Sequence, residues 1–326
     1  GLRGKQPFPS GEDLGGNIEN YIGMAQVPVG LAGPLRVNGT HAQGDDRIPL
    51  ATTEGALVAS YTRGMKAITL SGGANAVILD EGVQRAPYFQ FRDLAAAARF
   101  LSWLAVHEDN FTRLVRQTSR YAQLKGVTPF LDGNAVTLLV EFTTGDAAGQ
   151  NMVTICTDRI CRYITENCPE EVVVWYIEAN ASGDKKANRL AYQRVRGKKV
   201  SVEVVLPRSV VAAVLKTTPE HLDRYARAAV YGSVLSGTLG VQAHFANGLA
   251  ALFIACGQDA ACVAEAATGT VRLEATASGD LYASATLPNL IVGTVGGGTS
   301  LPTQRECLEL MDCYGTGNAG KLAEIT

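Results

Sequence analysis

Five places in this chain hold residue types able to do chemistry, and each also has an ordinary structural use. Asp259 closes a run, residues 228–259, that carries no other charged side chain. Read as a helix buried on every face, that run leaves the carboxylate at a desolvated end, where its pKa rises unless a cation stands beside it. Gln242, His244 and Asn247 interrupt the same run, and buried polar groups need partners or a purpose. Glu54 follows Thr52 and Thr53, which are able to cap a helix, so it is expected in a first turn; its plain use there is to complement the helix dipole. Asp184, Lys185 and Lys186 share a polar loop, and a solvated charge cluster is the ordinary explanation. Residues 145–152, GDAAGQNM, end a Val/Leu-rich strand and open a helix. Small residues at that junction let a phosphate approach backbone N–H groups at a positive helix end, and they equally make a plain turn. Three consecutive glycines, 296–298, permit ligand distances that a side chain would block.

The elements that must position these residues follow from periodicity. Residues 1–16 are Gly/Pro-rich and polar, which suits an arm or loop, and residues 20–36 mix β-branched residues with Gly and Pro, as short strands do. Leu57, Val58, Tyr61, Met65 and Ile68 recur at helical spacing. From residue 86 a strand-like YFQF precedes a helical stretch over 93–119, a strand over 135–144, a helix over 147–168 and a strand over 171–179. Helices alternating with short strands in this way describe a small α/β sandwich inserted into a larger unit. The expected fold is therefore α+β, a large domain around one central buried helix with a smaller insert. Its parts are 1–86 (large domain with an N-terminal arm), 87–175 (insert) and 176–326 (large domain).

The totals narrow the function classes. With 326 residues, 46% hydrophobic and 18% charged, the chain can bury a substantial core. A net charge of −2 and a pI near 6.2 give no electrostatic footprint for nucleic acid or an anionic membrane. The 228–259 run is long enough to cross a bilayer, but its five glycines and polar side chains fit that poorly. Seven cysteines without a C-x-x-C pair suggest free thiols in a reducing, cytoplasmic compartment, with neither a disulfide framework nor a zinc site. One motif is a decoy: GTGNAG over 315–320, followed by Lys321, imitates a nucleotide loop but has no preceding strand, and Leu322 stands where a magnesium-binding hydroxyl is needed.

Taken together and in order, ENYIG, PVGLAGPL, ATTEGALVAS, GDAAGQNM, SGDKK, AHFAN, IACGQDAA and GTVGGGT resemble the 3-hydroxy-3-methylglutaryl-coenzyme A (HMG-CoA) reductases across nearly the whole chain, with ATTEG and GQDA closest to the class I branch. The resemblance implies a homodimer or dimer of dimers, a ferredoxin-like insert for NADP(H), and reduction of HMG-CoA to mevalonate and free CoA through mevaldehyde. Glu54 matches the family's catalytic glutamate, Lys185 the lysine beside the thioester carbonyl, and Asp259 the aspartate linking the two. Arg85, Asp184, Lys186, Arg227 and Asn247 fall on substrate-contacting positions. Ser119 and Arg120 match the 2′-phosphate site, which favours NADPH. Asp146, Gly149, Gln150 and Asn151 fall on the dinucleotide motif, and Val295, Gly296 and Gly297 on the part of the large domain near the cofactor.

Four departures accompany the likeness. Ala148 and Gln150 replace the usual methionines of the dinucleotide motif, Glu178 stands where a small hydroxyl residue often precedes the DKK loop, and Arg227 replaces a common lysine. None of His41, His107, His221 or His244 matches the family's C-terminal catalytic histidine. A catalytically silent binding homologue and a reductase of another acyl-CoA therefore stand as the alternatives.

Overall fold

The structure is a computed structural model that describes residue 14 and residues 16–326; all but two residues of the expected N-terminal arm lie outside the described residues. The chain opens with a hairpin, β1 (Val29–Gly39) and β2 (Gln43–Ala51), followed by helix α1 (Leu57–Leu70) and strand β3 (Ala74–Arg85). Next come β4 (Tyr88–Phe91), α2 (Leu94–Ala105), α3 (Glu108–Thr118), β5 (Gln123–Asp132), β6 (Ala135–Thr143), α4 (Gln150–Asn167) and β7 (Val172–Tyr176). The short α5 (Leu190–Gln193) precedes β8 (Gly197–Leu206), a turn α6 (Arg208–Val210) that runs on as a π-helix (Val211–Leu215), and α7 (Pro219–Ser236). Then follow β9 (Gly240–Val241), α8 (Phe245–Ala255), α9 (Val263–Ala266), β10 (Gly269–Ala275), β11 (Leu281–Leu290), α10 (Pro302–Leu310) and α11 (Ala319–Ile325).

One mixed sheet ties these together in the order β7-β4-β6-β3-β8-β11-β10-β9, with β5 on β6 and the β1–β2 hairpin on β3. Strand β3 joins the two ends of this sheet, because its residues 75–82 pair with β8 and Val83–Arg85 pair with β6. Two large apolar clusters form on either side of that switch. One gathers Leu50, Leu57, Leu249, Phe253, Leu290, Met311 and Ile325. The other draws Phe89, Phe100, Phe111, Phe142 and Ile160 from the contiguous stretch 83–175. Within this stretch β4, α2–α3, β5, β6, α4 and β7 give a β-α-β-β-α-β order with strands laid out as β7-β4-β6-β5. All seven cysteines are free thiols. No helix of the described residues is long and apolar enough to cross a membrane.

Several elements differ from the sequence expectation, each for a local reason. The 228–259 run is not one buried helix. Gly237 ends α7 in the left-handed region at φ 70°, and Gly240, at φ 88°, must lie where any Cβ would meet the Gly269 carbonyl. Only the second half is core: α8 buries Leu249, Leu252 and Phe253, while α7 leaves Val234 75% and Leu235 88% exposed. The 93–119 stretch is two helices, because the His107 ring stacks on Trp103 at 4.0 Å and its Nδ1 lies 2.7 Å from the Trp103 carbonyl, where α2 ends. Residues 19–28 form no strand; Ile22 is fully exposed and the ladder starts at Val29.

Candidate active site

The loop between β7 and α5 carries the DKK triplet, and its backbone is unusual. Gly183 and Lys185 both take positive φ, 72° and 56°, so the chain coils back and the Lys186 N–H reaches the Gly183 carbonyl at 3.1 Å. Asn188 Nδ2 closes the turn on the Gly183 and Lys186 carbonyls. From it the Lys185 ammonium extends to Asp259 Oδ2 at 2.8 Å. The cation that a desolvated Asp259 required is therefore present. Burial pushes the Asp259 carboxyl up, but Lys185 and the Ala261 N–H outweigh this and hold it below the usual range. In return, the hydrogen bond that Lys185 donates to Asp259 raises the ammonium above its ordinary value. Asp259 itself caps the 3₁₀ turn Ala260–Cys262 and is half-exposed, a correction to the buried helix end expected for it.

Glu54 also sits outside its expected place. Ala56, at φ 63°, is the N-cap of α1, so Glu54 precedes the helix and Thr52 Oγ1 accepts the Glu54 N–H at 3.0 Å instead of capping α1. The carboxylate receives Asn247 Nδ2 at 2.8 Å from the first turn of α8. Gly248 follows it because the Tyr61 ring of α1 occupies the space of a side chain there. Glu54 with Asn247 and Lys185 with Asp259 thus form two separate pairs within one chain. No hydrogen bond or ion pair of the described residues joins Glu54 to Lys185 or Asp259.

Behind the Lys185 loop lies a group of buried charges. Arg85, on β3, engages all five of its N–H groups: Nε with Thr154 Oγ1 at 2.8 Å, Nη1 with the Gln84 carbonyl and Asp184 Oδ2 at 3.3 Å each, and Nη2 with the carbonyl and Oε1 of Gln150 at 3.2 and 3.1 Å. Burial lowers its pKa from the ordinary value, against the pull of Asp184. Beside it Glu178 Oε2 accepts the Ala86 N–H at 3.0 Å, while Oε1 is buried without a partner. Two members of the group, Arg196 and Glu265, escaped sequence reasoning. Glu265 left a signal, a lone carboxylate in the apolar AACVAEAAT; Arg196 did not stand out from its basic neighbours. Of the remaining substrate candidates, Lys186 Nζ turns back to the Asp184 carbonyl at 3.0 Å. Arg227 lies on the exposed face of α7, paired with Asp223 at 3.2 Å, and is not brought into contact with either pair.

The dinucleotide motif spans the expected junction. Gly149 is the N-cap of α4 at φ 78°, where a side chain would collide with Thr144, and no side chain caps the first-turn N–H groups. Gln150 Nε2 is buried there without an acceptor. Asp146 is committed differently from expectation: its carboxylate accepts the N–H groups of Gly317 at 2.9 Å and Ala319 at 3.2 Å. The GTGNAG decoy thus binds an anion, and the anion is this side chain. Asn151 is exposed on the first turn of α4. Gly293 packs against the same junction, since a Cβ there would stand 2.5 Å from the Ala148 nitrogen, and Gln258 grips Gly293 at both backbone groups. Val295 and Gly296 continue from it to a 3₁₀ turn that opens at Gly297, with Gly296 and Gly297 exposed. Ser119 Oγ accepts the Tyr121 and Ala122 N–H groups after α3, leaving Arg120 exposed.

Comparison with known proteins covers nearly all of this chain. A reductase from Aeropyrum pernix named 3-hydroxy-3-methylglutaryl-coenzyme A reductase is 49% identical over 320 residues, spanning 96% of this chain and 76% of its own. The enzyme of that name from Pyrococcus horikoshii is 45% identical over 322 residues, spanning 96% of this chain and 78% of its own. Among solved structures, the class II reductase of Streptococcus pneumoniae bound to NADPH superposes with a TM-score of 0.72, covering 94% of this chain and 83% of that one. At 18% identity this last likeness shows a shared mixed α/β fold. The family model described as hydroxymethylglutaryl-coenzyme A reductase matches residues 4–326, and the chain belongs to that family.

Proposed function

We propose that the chain reduces HMG-CoA to mevalonate and free CoA with NADPH, by two hydride transfers through mevaldehyde. The observation that carries this reading is the ammonium of Lys185 held 2.8 Å from Asp259 on a coiled loop. Reduction of a thioester or aldehyde builds negative charge on oxygen, and a positioned ammonium stabilises it. Glu54, oriented by Asn247, supplies the proton, and Asp259 keeps Lys185 aimed. Asp184, Lys186, Arg227 and Asn247 contact the substrate in this reading. Bound NADPH supplies the hydride. The open first turn of α4 at Gly149, the donor of Gln150 left without an acceptor and the exposed Arg120 suit a dinucleotide carrying a 2′-phosphate. Ser119, Asp146, Asn151 and the 295–297 loop complete that site, Asp146 by fixing the loop rather than by touching the ligand.

In this reading residues 87–175 are a ferredoxin-like NADP-binding domain inserted into a large domain of 1–86 and 176–326. The β-α-β-β-α-β order and the separate apolar cluster support that division. The large domain's central helix is then α8. The working form is a homodimer or dimer of dimers, which accounts for the apolar exposure of Ile22 and of α7 and for Glu54 and Lys185 standing as separate pairs in one copy. Steady-state NADPH oxidation tests the proposal. The expected result is HMG-CoA-dependent turnover yielding two NADP per CoA released; binding of both ligands with no turnover would instead mark a silent homologue. A second reading rests on Arg85, whose N–H groups are all engaged, and on Glu178 beside it. Such a pocket favours an acyl group without a distal carboxylate, and faster turnover of a neutral acyl-CoA than of HMG-CoA would establish it.

A further inference from the structure

The exposed Lys185–Asp259 pair is backed by a closed chain of buried charge. Arg196, 3% exposed, sends Nε to Glu265 Oε2 at 2.6 Å, Nη2 to Asp184 Oδ1 at 2.8 Å and Nη1 to the Gln84 carbonyl at 3.0 Å. Glu265, 0% exposed, uses its other oxygen to accept the backbone N–H of Lys185 at 3.1 Å. The second oxygen of Asp184 takes Arg85 at 3.3 Å. Neither Arg196 nor Glu265 reaches solvent, so neither touches a substrate. They touch the backbone of Lys185 and the side chain of the residue before it.

The Lys185 backbone needs such a hold. At φ 56° it occupies the left-handed region, which a residue with a Cβ leaves readily unless its surroundings over-determine it. The bonds that close the turn run through Gly183, Lys186 and Asn188, and none of them uses the Lys185 amide. Glu265 holds that amide. A carboxylate so buried requires a cation, and the one that serves it, Arg196, also pins Asp184. A single guanidinium therefore fixes two successive residues of the turn. Because φ sets the direction of the Cα–Cβ bond, fixing the turn sets where the ammonium points.

We infer that Glu265 and Arg196 are positioning residues for the reaction: through the Lys185 amide and the Asp184 carboxylate they aim the Lys185 ammonium at Asp259. The inference rests on the role of Lys185 proposed above. Its test is Glu265→Gln in the full chain, which keeps the volume and one acceptor but removes the charge facing Arg196. In HMG-CoA-dependent NADPH oxidation kcat falls about 10- to 100-fold, as for reacting groups displaced by about 1 Å, and KM for HMG-CoA changes less than about threefold. In a Lys185→Ala background the same substitution lowers kcat by less than about twofold, since nothing remains to be aimed. An unchanged kcat in the single variant, or a full loss repeated in the Lys185→Ala background, overturns the inference. Amide hydrogen exchange reads the link without turnover: the Lys185 amide exchanges at least about tenfold faster in Glu265→Gln, and unaltered protection overturns the inference even if the wild-type protein proves catalytically silent. Should Glu265→Gln fail to fold, Glu265→Gln combined with Arg196→Met also removes the buried cation that has lost its Glu265 partner and carries the same measurements.

Discussion

Asp259→Asn separates the site from the scaffold, and both halves of its effect follow from the structure. The replaced oxygen lies 2.8 Å from Lys185 Nζ, and each side chain is 42% exposed. An ion pair so open to water contributes at most about 1 kcal/mol to folding after screening. The carboxyl is held below its usual range, so its share of stability is present above pH ~4 and is lost as pH falls through the depressed folded value. The amide variant lacks that acid-limb loss and otherwise unfolds within about 1 kcal/mol of wild type in urea. Catalysis responds differently. Lys185 loses the partner that fixes its direction, so kcat at neutral pH falls about 10²-fold, the usual cost of disabling one oxyanion-stabilising donor. The alkaline limb of the rate profile moves to lower pH, because the raised lysine returns toward its ordinary value. Urea melts and pH–rate profiles on the same preparations measure both. A stability loss above about 2 kcal/mol would mean the pair is structural, and an unchanged kcat would remove Asp259 from the reaction.

Two further outcomes probe the cofactor side. Arg120→Ala weakens NADPH binding, followed by fluorescence titration, by about tenfold or more while leaving NADH within about twofold, since a guanidinium–phosphate contact exists only with the 2′-phosphate; equal losses would take Arg120 out of this role. Gly149→Ala, at φ 78° and against Thr144, lowers unfolding stability by at least about 1 kcal/mol and weakens NADPH and NADH alike, whereas wild-type-like melts would show that the α4 junction tolerates a Cβ.

The parts of the fold whose cause is local were legible in the amino-acid order. The βα alternation from residue 86, the α4 junction at Gly149 and the capacity of α8 to be core all follow from side-chain period and glycine placement. The motif series identified the family and placed Glu54, Lys185 and Asp259 as candidates, and a cation does stand beside Asp259, although on a half-exposed 3₁₀ turn and not at the buried helix end expected. The rest depends on contacts between distant segments. Apolar composition does not distinguish a helix buried by its own chain from one left facing outward, so the 228–259 run read as a single core helix, although α7 is exposed and only α8 is covered. A carboxylate's role depends on which donors the fold brings to it from far along the chain. Asp146 read as a cofactor-side residue, and the fold brings the Gly317 and Ala319 N–H groups to it, while Glu265 of α9 and Arg196, the residue before β8, 69 residues apart, became partners beneath Lys185 only through packing. Charge type is written in the sequence, but pairing across such separations is set by packing, and the arrangement around Lys185 is a property of the folded chain.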